Sequence, residues 1–197
     1  MVLWINGAFG SGKSSAANEV CRMLPKAYVY DPEQTGYFLW DIFPASMKRK
    51  GNFQHIPIWR EMNYKILKHI DSHYNGVIVA PQTIYVKQYY DEIIGKLVAD
   101  KVDVKHFILS ASRQTIVSRL ASRGEDEKGW AGQHIEQCLT AFDTDITEEK
   151  IDTDGKSVTE IAYEMAIRIR ESSLGHKCSS MRQIGSAESI YSGSVFC

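Results

Sequence analysis

Short apolar runs alternate along this chain with longer segments in which apolar residues recur every three or four positions. The short runs have the length and composition of buried strands, and they lie at 2–5, 27–30, 76–81, 104–109 and 150–153. Strands that alternate with helices favour a parallel sheet with crossover connections. The pattern therefore predicts an α/β fold of three layers with a doubly wound parallel sheet in the middle.

The segments between these runs have the spacing of amphipathic helices. They cover 15–24, 58–70, 89–98, 112–120, 131–142 and 157–170. Residues 36–52 are rich in aromatic side chains, and we expect irregular structure there. Residues 172–197 are rich in Ser and Gly and carry few charges. We therefore expect one domain over 1–171, followed by a flexible tail over 172–197.

The first predicted strand leads directly into GAFGSGKS at 7–14, which matches the pattern G-x-x-x-x-G-K-[ST]. Glycines let the backbone approach phosphate oxygens, and successive N–H groups at a helix start bind anions. In this pattern Lys13 reaches the β- and γ-phosphates and the Ser14 hydroxyl binds Mg²⁺. The strand, loop and helix predict an ATP·Mg²⁺ site, with a turn that binds no ligand as the alternative. The predicted nucleotide-binding residues are Gly7, Ala8, Phe9, Gly10, Ser11, Gly12, Lys13, Ser14 and Ser15.

Composition and charge exclude several classes of protein. With 197 residues, 44% of them hydrophobic, the chain suits one globular domain with a sizeable core. A formal net charge of −1 gives no bulk attraction to nucleic acid, so we predict no such partner. No apolar run approaches the roughly 20 residues that span a bilayer, and we expect no cleaved signal peptide. Cys21 and Cys138 stand at helical positions and predict buried thiols in a reducing cytosol.

Charged residues outside the loop are candidates for phosphoryl transfer. Asp31 follows the second predicted strand, where a carboxylate could orient an acceptor hydroxyl or hold Mg²⁺ through water. A turn Asp before proline is the alternative. Arg119 and Arg123 share a helix face that leads into a polar segment at 121–131, which we interpret as a lid. Solvated arginines at a helix end are the alternative there.

Other candidates belong to an acceptor site. Arg60 on the second long helix could bind a carboxylate or phosphate of a second substrate, with a surface ion pair as the alternative. The third strand ends in Pro-Gln-Thr where a metal-binding Asp often stands, which disfavours a motor-type ATPase. Gln82 there could contact substrate or the water on Mg²⁺. The aromatic cluster that includes Phe38 and Trp59 is either core or a ring-stacking acceptor pocket.

Several segments of the chain resemble the tunicamycin-resistance ATP-binding proteins. These are WINGAFGSGK at 4–13, YVYDPE at 28–33, Trp59-Arg60 with Asn63-Tyr64, EIIG at 92–95, and Arg119-Leu120 before the polar lid. The resemblance covers about residues 1–170. More distantly, the chain is similar to shikimate, gluconate and nucleoside-monophosphate kinases and to chloramphenicol phosphotransferase. The resemblance implies a P-loop kinase fold with a parallel sheet of order 2-3-1-4-5, a lid with arginines, and an acceptor site beside the second strand.

The resemblance also implies roles for single residues. Lys13 and Ser14 match the phosphate and Mg²⁺ positions, Asp31 the acidic position after the second strand, Arg60 the acceptor-binding arginine, and Arg119 and Arg123 the lid arginines. The resistance family is associated with peripheral membrane attachment through an amphipathic C-terminal helix. The tail here has few basic residues, and Gly185 and Gly193 oppose a helix, unlike an interfacial helix. We expect a cytoplasmic protein, with a peripheral position at the membrane as the alternative.

The leading hypothesis is an ATP-dependent phosphotransferase that confers tunicamycin resistance by phosphorylating this nucleoside antibiotic. One alternative is a protein that binds and sequesters the antibiotic in the presence of ATP without chemistry. Another is a housekeeping kinase for a small metabolite. All three hypotheses require the same nucleotide site, so the sequence does not choose between them. Nor does the sequence give an oligomeric state.

Overall fold

Five strands form one parallel sheet with the order β2-β3-β1-β4-β5, in a computed structural model that describes residues 1–48 and 52–171. The strands are β1 (Val2–Gly7), β2 (Ala27–Val29), β3 (Val77–Pro81), β4 (Val104–Ser110) and β5 (Glu149–Asp152). The register places Leu3 of β1 beside Val79 of β3 and Lys105 of β4. The strand order and the parallel pairing confirm the predicted α/β fold.

Helices cover both faces of this sheet and make the crossovers between its strands. They are α1 (Lys13–Met23), α2 (Pro32–Ile42), α3 (Pro57–His73), α4 (Lys87–Tyr90), α5 (Lys96–Ala99), α6 (Arg113–Ala121), α7 (Trp130–Gln133), α8 (Ile135–Thr144) and α9 (158–171). A π-helical segment, Asp91–Gly95, joins α4 to α5. Two 3₁₀ turns, Ala45–Met47 and Phe53–His55, lie between α2 and α3.

The central strand β1 is buried along its whole length, and its side chains alternate between two layers. Leu3 and Ile5 pack with buried residues of α1 and α9 on one face of the sheet. Val2 and Trp4 pack with α3 and with the helical segment that contains Asp91–Gly95 on the other face. A strand covered on both faces needs apolar residues at every position, which explains the continuous apolar run. The buried β1 carries the phosphate loop at its carboxyl end.

Helix α2 replaces the irregular structure that the sequence pattern predicts from residue 36 onward. Asp31 caps this helix by accepting a hydrogen bond from the Glu33 N–H at 2.9 Å, and proline occupies the first turn. The buried stripe of α2 consists of Pro32, Thr35, Gly36 and Leu39, which have the spacing of one helix face. Only one of these four residues is a large apolar residue, so hydrophobic periodicity does not detect the helix.

The described residues bear on the predictions for the cysteines and for a membrane span, but not on the prediction for the tail. The predicted tail at 172–197 lies outside the described residues. Cys138 is buried and Cys21 half-buried, and both are free thiols. Among the residues that the structure describes, no three His, Cys, Asp or Glu side chains form a group that could hold a metal ion. None of the described helices combines the length and the apolar composition that a membrane span requires.

Candidate active site

The loop between β1 and α1 has the backbone conformation that phosphate binding requires. Gly7 has a φ of 143°, and a Cβ on it would lie 2.6 Å from Ser11 Oγ and 2.7 Å from the Leu109 carbonyl oxygen. Gly12 precedes α1 with a left-handed φ of 95°. Both positions therefore require glycine, for lack of space at the first and for backbone conformation at the second. The first N–H groups of α1 consequently face the concave side of the loop, where an anion binds.

A side chain of β1 and one from the segment after β3 hold the start of this loop, a role that the sequence pattern does not indicate. Asn6 Oδ1 accepts hydrogen bonds from the backbone N–H groups of Gly7 and Ile84, both at 2.9 Å, and Asn6 Nδ2 donates to the Ile84 carbonyl. Thr83 Oγ1 donates to the Gly7 carbonyl at 2.8 Å. Gln54 Nε2 in turn donates to the Thr83 carbonyl at 2.7 Å. The segment after β3 is thus tied to the end of β1, where the phosphate loop begins, by three hydrogen bonds.

Lys13 lies inside the loop with its ammonium group directed back onto the loop backbone. Its Nζ donates to the Ala8 carbonyl at 2.9 Å and lies 5.7 Å from the centre of the Phe9 ring. Burial lowers the pKa of Lys13 to about 8. Ser11 Oγ is also buried here and has no hydrogen-bond partner in the part of the chain that the structure describes. A partly buried cation beside an unpaired hydroxyl fits a polyanion such as the phosphate chain of ATP.

Several charged side chains meet in a cavity of about 330 Å³ at the carboxyl end of the sheet. Its wall includes Lys13, Ser14, Asn18, Asp31, Glu33, Gln82, Thr83 and Arg123. Ser15 follows Ser14 on α1 and is exposed, but it does not line this cavity. Hydroxyl and carboxylate oxygens are the protein ligands that Mg²⁺ prefers, so Ser14 and Asp31 fit a metal that also binds nucleotide phosphates.

The two carboxylates of this cavity have different environments. Asp31 accepts hydrogen bonds from the Glu33 N–H at 2.9 Å and from Gln34 Nε2 at 3.1 Å, so the turn interpretation describes part of its role. Glu33 accepts a hydrogen bond from the Tyr37 hydroxyl at 3.4 Å. Burial, followed by the charge of Asp31, raises the pKa of Glu33, while Tyr37 and Lys13 oppose this shift. Glu33 was absent from the sequence candidates, although it lies two residues after Asp31.

The two candidate lid arginines are four residues apart and have different contacts. Arg119 donates to Thr153 Oγ1 at 2.9 Å, to the Thr153 carbonyl at 2.8 Å and to the Ser11 carbonyl at 3.3 Å. It therefore joins the phosphate loop to the segment after β5. The side chain of Arg123 is 54% exposed, with Glu125 4.0 Å away, and lies in the same cavity wall as Lys13. Of the two, Arg123 has the freedom to reach a bound phosphate.

A second cavity, of about 390 Å³, continues from the first. Phe9, Glu33 and Gln82 line both cavities. The remaining wall of the second cavity consists of Tyr37, Trp40, Asn52, Phe53, Gln54 and Trp130. A larger apolar cavity of about 710 Å³ shares part of this aromatic wall, and no residue of the phosphate loop lines it. The charged cavity thus opens towards an aromatic one, as an acceptor site beside the phosphate site requires.

Comparison with solved structures places this geometry among known folds. No protein-family model and no curated protein sequence matches the chain. The tunicamycin resistance protein of Deinococcus radiodurans is 25% identical with a TM-score of 0.73, over 85% of this chain and 94% of that chain. A gluconokinase from Sinorhizobium meliloti 1021 is 13% identical with a TM-score of 0.59, over 89% and 96% of the two chains. The chain has a P-loop kinase fold.

A further P-loop kinase neighbour was solved with nucleotide. The APS kinase of Mycobacterium tuberculosis, in complex with AMPPNP and APS, is 21% identical with a TM-score of 0.56, over 86% of this chain and 96% of that chain. The match to the Deinococcus radiodurans protein confirms the resemblance to the tunicamycin-resistance proteins that the sequence motifs indicate.

Three predicted substrate-binding residues of this P-loop kinase fold lie outside the walls of the charged and aromatic cavities. Arg60 is 5% exposed; its Nε donates to Glu92 at 2.6 Å, and its guanidinium lies over the Tyr89 ring at 4.3 Å. The structure therefore shows an ion pair for Arg60, with the arginine buried and Glu92 partly exposed. Trp59 is fully buried and donates to the Pro32 carbonyl, as a core residue does. Phe38 is half-exposed on α2. Of the predicted acceptor-site residues, Gln82 and Asp31 lie in the charged cavity.

Proposed function

We propose that this protein transfers the γ-phosphoryl group of ATP to a hydroxyl group of a small molecule, and that the small molecule is a nucleoside antibiotic of the tunicamycin type. The observation that carries the proposal is the charged cavity in which Lys13, Arg123, Asp31 and Glu33 meet at the phosphate loop. Similarity to the Deinococcus radiodurans tunicamycin resistance protein supports the choice of acceptor.

The donor side of the reaction falls to the loop and to α1. The loop N–H groups and Lys13 bind the phosphate chain, and a phosphate oxygen replaces the Ala8 carbonyl as the partner of the ammonium group. Ser14 and Asp31, which both line the charged cavity, would hold Mg²⁺. Bound Mg²⁺ would neutralise charge on the β- and γ-phosphates. Lys13 would therefore hold the γ-phosphate in place for attack.

The acceptor side falls to Glu33 and Arg123. Glu33 lines both the charged and the aromatic cavity, so its carboxylate can accept the hydrogen bond of an acceptor hydroxyl that enters between them. Asp31 is less available because two groups at the start of α2 already donate to it. Arg123 would stabilise the charge on the transferred phosphoryl group. Arg119 keeps its contacts to Thr153 and to the loop and acts by holding the loop in place.

A product assay tests the proposal. The full-length protein is incubated with Mg·ATP and tunicamycin, and the antibiotic is then analysed by mass spectrometry. We expect a mass gain of one phosphoryl group, which Lys13→Met abolishes and which Lys65→Met, an exposed lysine on α3, leaves intact.

Two other results would replace the proposal. Tunicamycin that binds in the presence of ATP but keeps its mass, with resistance of cells retained in Glu33→Gln, would establish sequestration without chemistry. Phosphorylation of a common metabolite but not of tunicamycin would establish a housekeeping kinase.

A further inference from the structure

One residue in the wall of the aromatic cavity belongs to the lid segment predicted at 121–131. Trp130 is the first residue of α7, and its side chain is 45% exposed at the cavity wall. Its ring lies 4.6 Å from the Phe9 ring in the phosphate loop, at an interplanar angle of 67°. Trp130 thus contacts the nucleotide side while it lines the acceptor side.

The other aromatic residues of the wall come from α2 and from the 3₁₀ turn before α3. Trp40 and Phe53 lie 5.3 Å apart at 68°, and Tyr37 lies 6.2 Å from Phe53 at 73°. In an edge-to-face pair only one of the two rings has its face covered. Tyr37 is 46% and Trp130 45% exposed, so α2 and α7 both present exposed aromatic surface, and the Trp130 ring also packs on His134 at 4.6 Å. Such walls suit a flat ring better than a flexible polyol.

Two amide side chains give this apolar cavity its polar groups. Gln82 is 3% exposed and Gln54 is 2% exposed, and both line the cavity. The Oε1 atom of each is buried and has no hydrogen-bond partner among residues 1–48 and 52–171. The Gln54 amide is fixed by its bond to the Thr83 carbonyl, whereas the structure records no side-chain bond for Gln82. A ligand N–H would supply the donor that the Gln82 oxygen lacks.

We infer that the aromatic cavity binds the planar heteroaromatic ring of the acceptor, such as a pyrimidine base, with Trp130 as the stacking residue and Gln82 as the acceptor of a ring N–H. The inference rests on the proposed function for the second substrate and names its chemical class. Because Glu33 and Gln82 line both cavities, a ring held here places its sugar substituent towards Glu33 and the phosphate loop. Acceptor selection is thereby assigned to two residues that the sequence does not bring together.

Calorimetric titration tests this inference without turnover. The full chain is saturated with Mg²⁺ and adenylyl imidodiphosphate and then titrated with uridine, N3-methyluridine and ribose. We expect uridine to bind about tenfold more tightly than N3-methyluridine, because methylation removes the N–H that Gln82 accepts. Gln82→Met is expected to weaken uridine to the level of the methylated compound and so remove this difference.

The stacking role has its own variants. Trp130→Leu is expected to weaken uridine binding about tenfold, whereas Trp130→Phe retains most of the affinity. Tyr163→Leu, an exposed aromatic residue of α9, is the matched control and leaves the affinity unchanged. Thermal unfolding of every variant separates loss of binding from loss of fold.

The outcomes distinguish this inference from the proposed function. Uridine that binds no more tightly than ribose, or equally to Trp130→Leu and the unmodified chain, overturns the inference even if the product assay shows phosphorylation. Ring binding that depends on Trp130 and Gln82 supports the inference even if the product assay shows no phosphoryl transfer, in which case the proposed chemistry alone is wrong.

Discussion

The two adjoining cavities of this P-loop kinase fold are built in different ways. The charged cavity is built around the backbone of one continuous loop, with glycine required at Gly7 and Gly12 and with the partly buried cation Lys13, although side chains from other elements complete its wall. The aromatic cavity consists of side chains from the phosphate loop, α2, the segment before α3, the end of β3 and α7. Its shape therefore depends on how separate elements pack on one another.

Because of this difference, we expect the two cavities to differ in how readily their ligands can change. A site made of backbone N–H groups recognises phosphate in any nucleotide and tolerates little change, because its geometry is fixed by φ angles. A site made of side chains from several elements can accept a new ligand when one of those side chains changes. Nucleotide binding is thus the constant property of this fold, and acceptor choice is the variable one.

Removal of the Lys13 ammonium group is expected to have the largest effect on the charged cavity. We expect Lys13→Met to lower kcat by about 10³-fold, because no other group on the loop neutralises the transferred phosphate. Because the pKa of Lys13 is about 8 in the free protein, ATP affinity falls as pH rises above 8. Lys13→Met should lack this pH dependence. Equilibrium binding of ATP at a series of pH values measures this dependence. A Lys13→Met variant with normal kcat would contradict the role of Lys13 in phosphoryl transfer.

Variants of Arg119 and Arg123 test whether one arginine acts in catalysis and the other in stability. We expect Arg123→Gln to lower kcat by about 10²-fold with an unchanged Tm, because the side chain is exposed and has only weak contacts. Arg119→Gln should lower the free energy of unfolding by about 1–3 kcal/mol, because Thr153 and the loop lose a donor. Steady-state kinetics and thermal unfolding of both variants measure these two effects. A lower Tm for Arg123→Gln together with a lower kcat for Arg119→Gln would reverse the two roles.

Glu33 lines both cavities, and the pH dependence of kcat tests whether its carboxylate acts on the acceptor hydroxyl. We expect Glu33→Gln to lower kcat by about 30-fold, less than a full general base contributes, because phosphoryl transfer needs little deprotonation before attack. The raised pKa of Glu33 means that the carboxylate is lost, and activity falls, at a higher pH than an ordinary glutamate would give. A profile of kcat against pH should lose this acid limb in Glu33→Gln. An unchanged acid limb would assign the role to Asp31.

The substitution Gly36→Ala on α2 tests whether the aromatic cavity can be changed without changing the charged cavity. A Cβ on Gly36 would lie 2.6 Å from the Phe53 ring, so Gly36→Ala displaces one wall at a cost of about 1–3 kcal/mol. We expect the acceptor KM to rise about fivefold while the ATP Kd stays constant. Gly95→Ala is the matched control, because the nearest atom there is at an ordinary 3.5 Å. A parallel loss of ATP affinity would show that the two cavities are not separable.

The charged cavity was largely predictable because its determinants are contiguous or follow directly from strand ends. Residues 7–14 give the loop, and Asp31 was expected at the carboxyl edge of the sheet from the end of the second strand alone. Glu33 could have been found from the same reasoning, since Asp-Pro-Glu is the start of a capped helix with an acidic first turn. The same capping signal indicates α2, which hydrophobic periodicity alone does not detect.

The aromatic cavity was not predictable in this way, because long-range packing decides its membership. Gln54 reaches the segment after β3 through a hydrogen bond to Thr83, 29 positions away along the chain. Trp130 meets Phe9 only because α7 packs beside the phosphate loop. Sequence spacing does not encode such contacts. The same limit explains Arg60, whose partner Glu92 lies 32 positions away and was read as part of a separate motif.

The three residues after β3 restrict how this protein can evolve. Gln82 lines both cavities, Thr83 donates to the Gly7 carbonyl, and the backbone of Ile84 is bound by Asn6. A substitution there would disturb nucleotide binding together with acceptor choice. Changes in α2 and α7 avoid that penalty, because neither helix donates a hydrogen bond to the loop among the described contacts. New substrates are therefore expected to arise through the two helices, while residues 82–84 stay as they are.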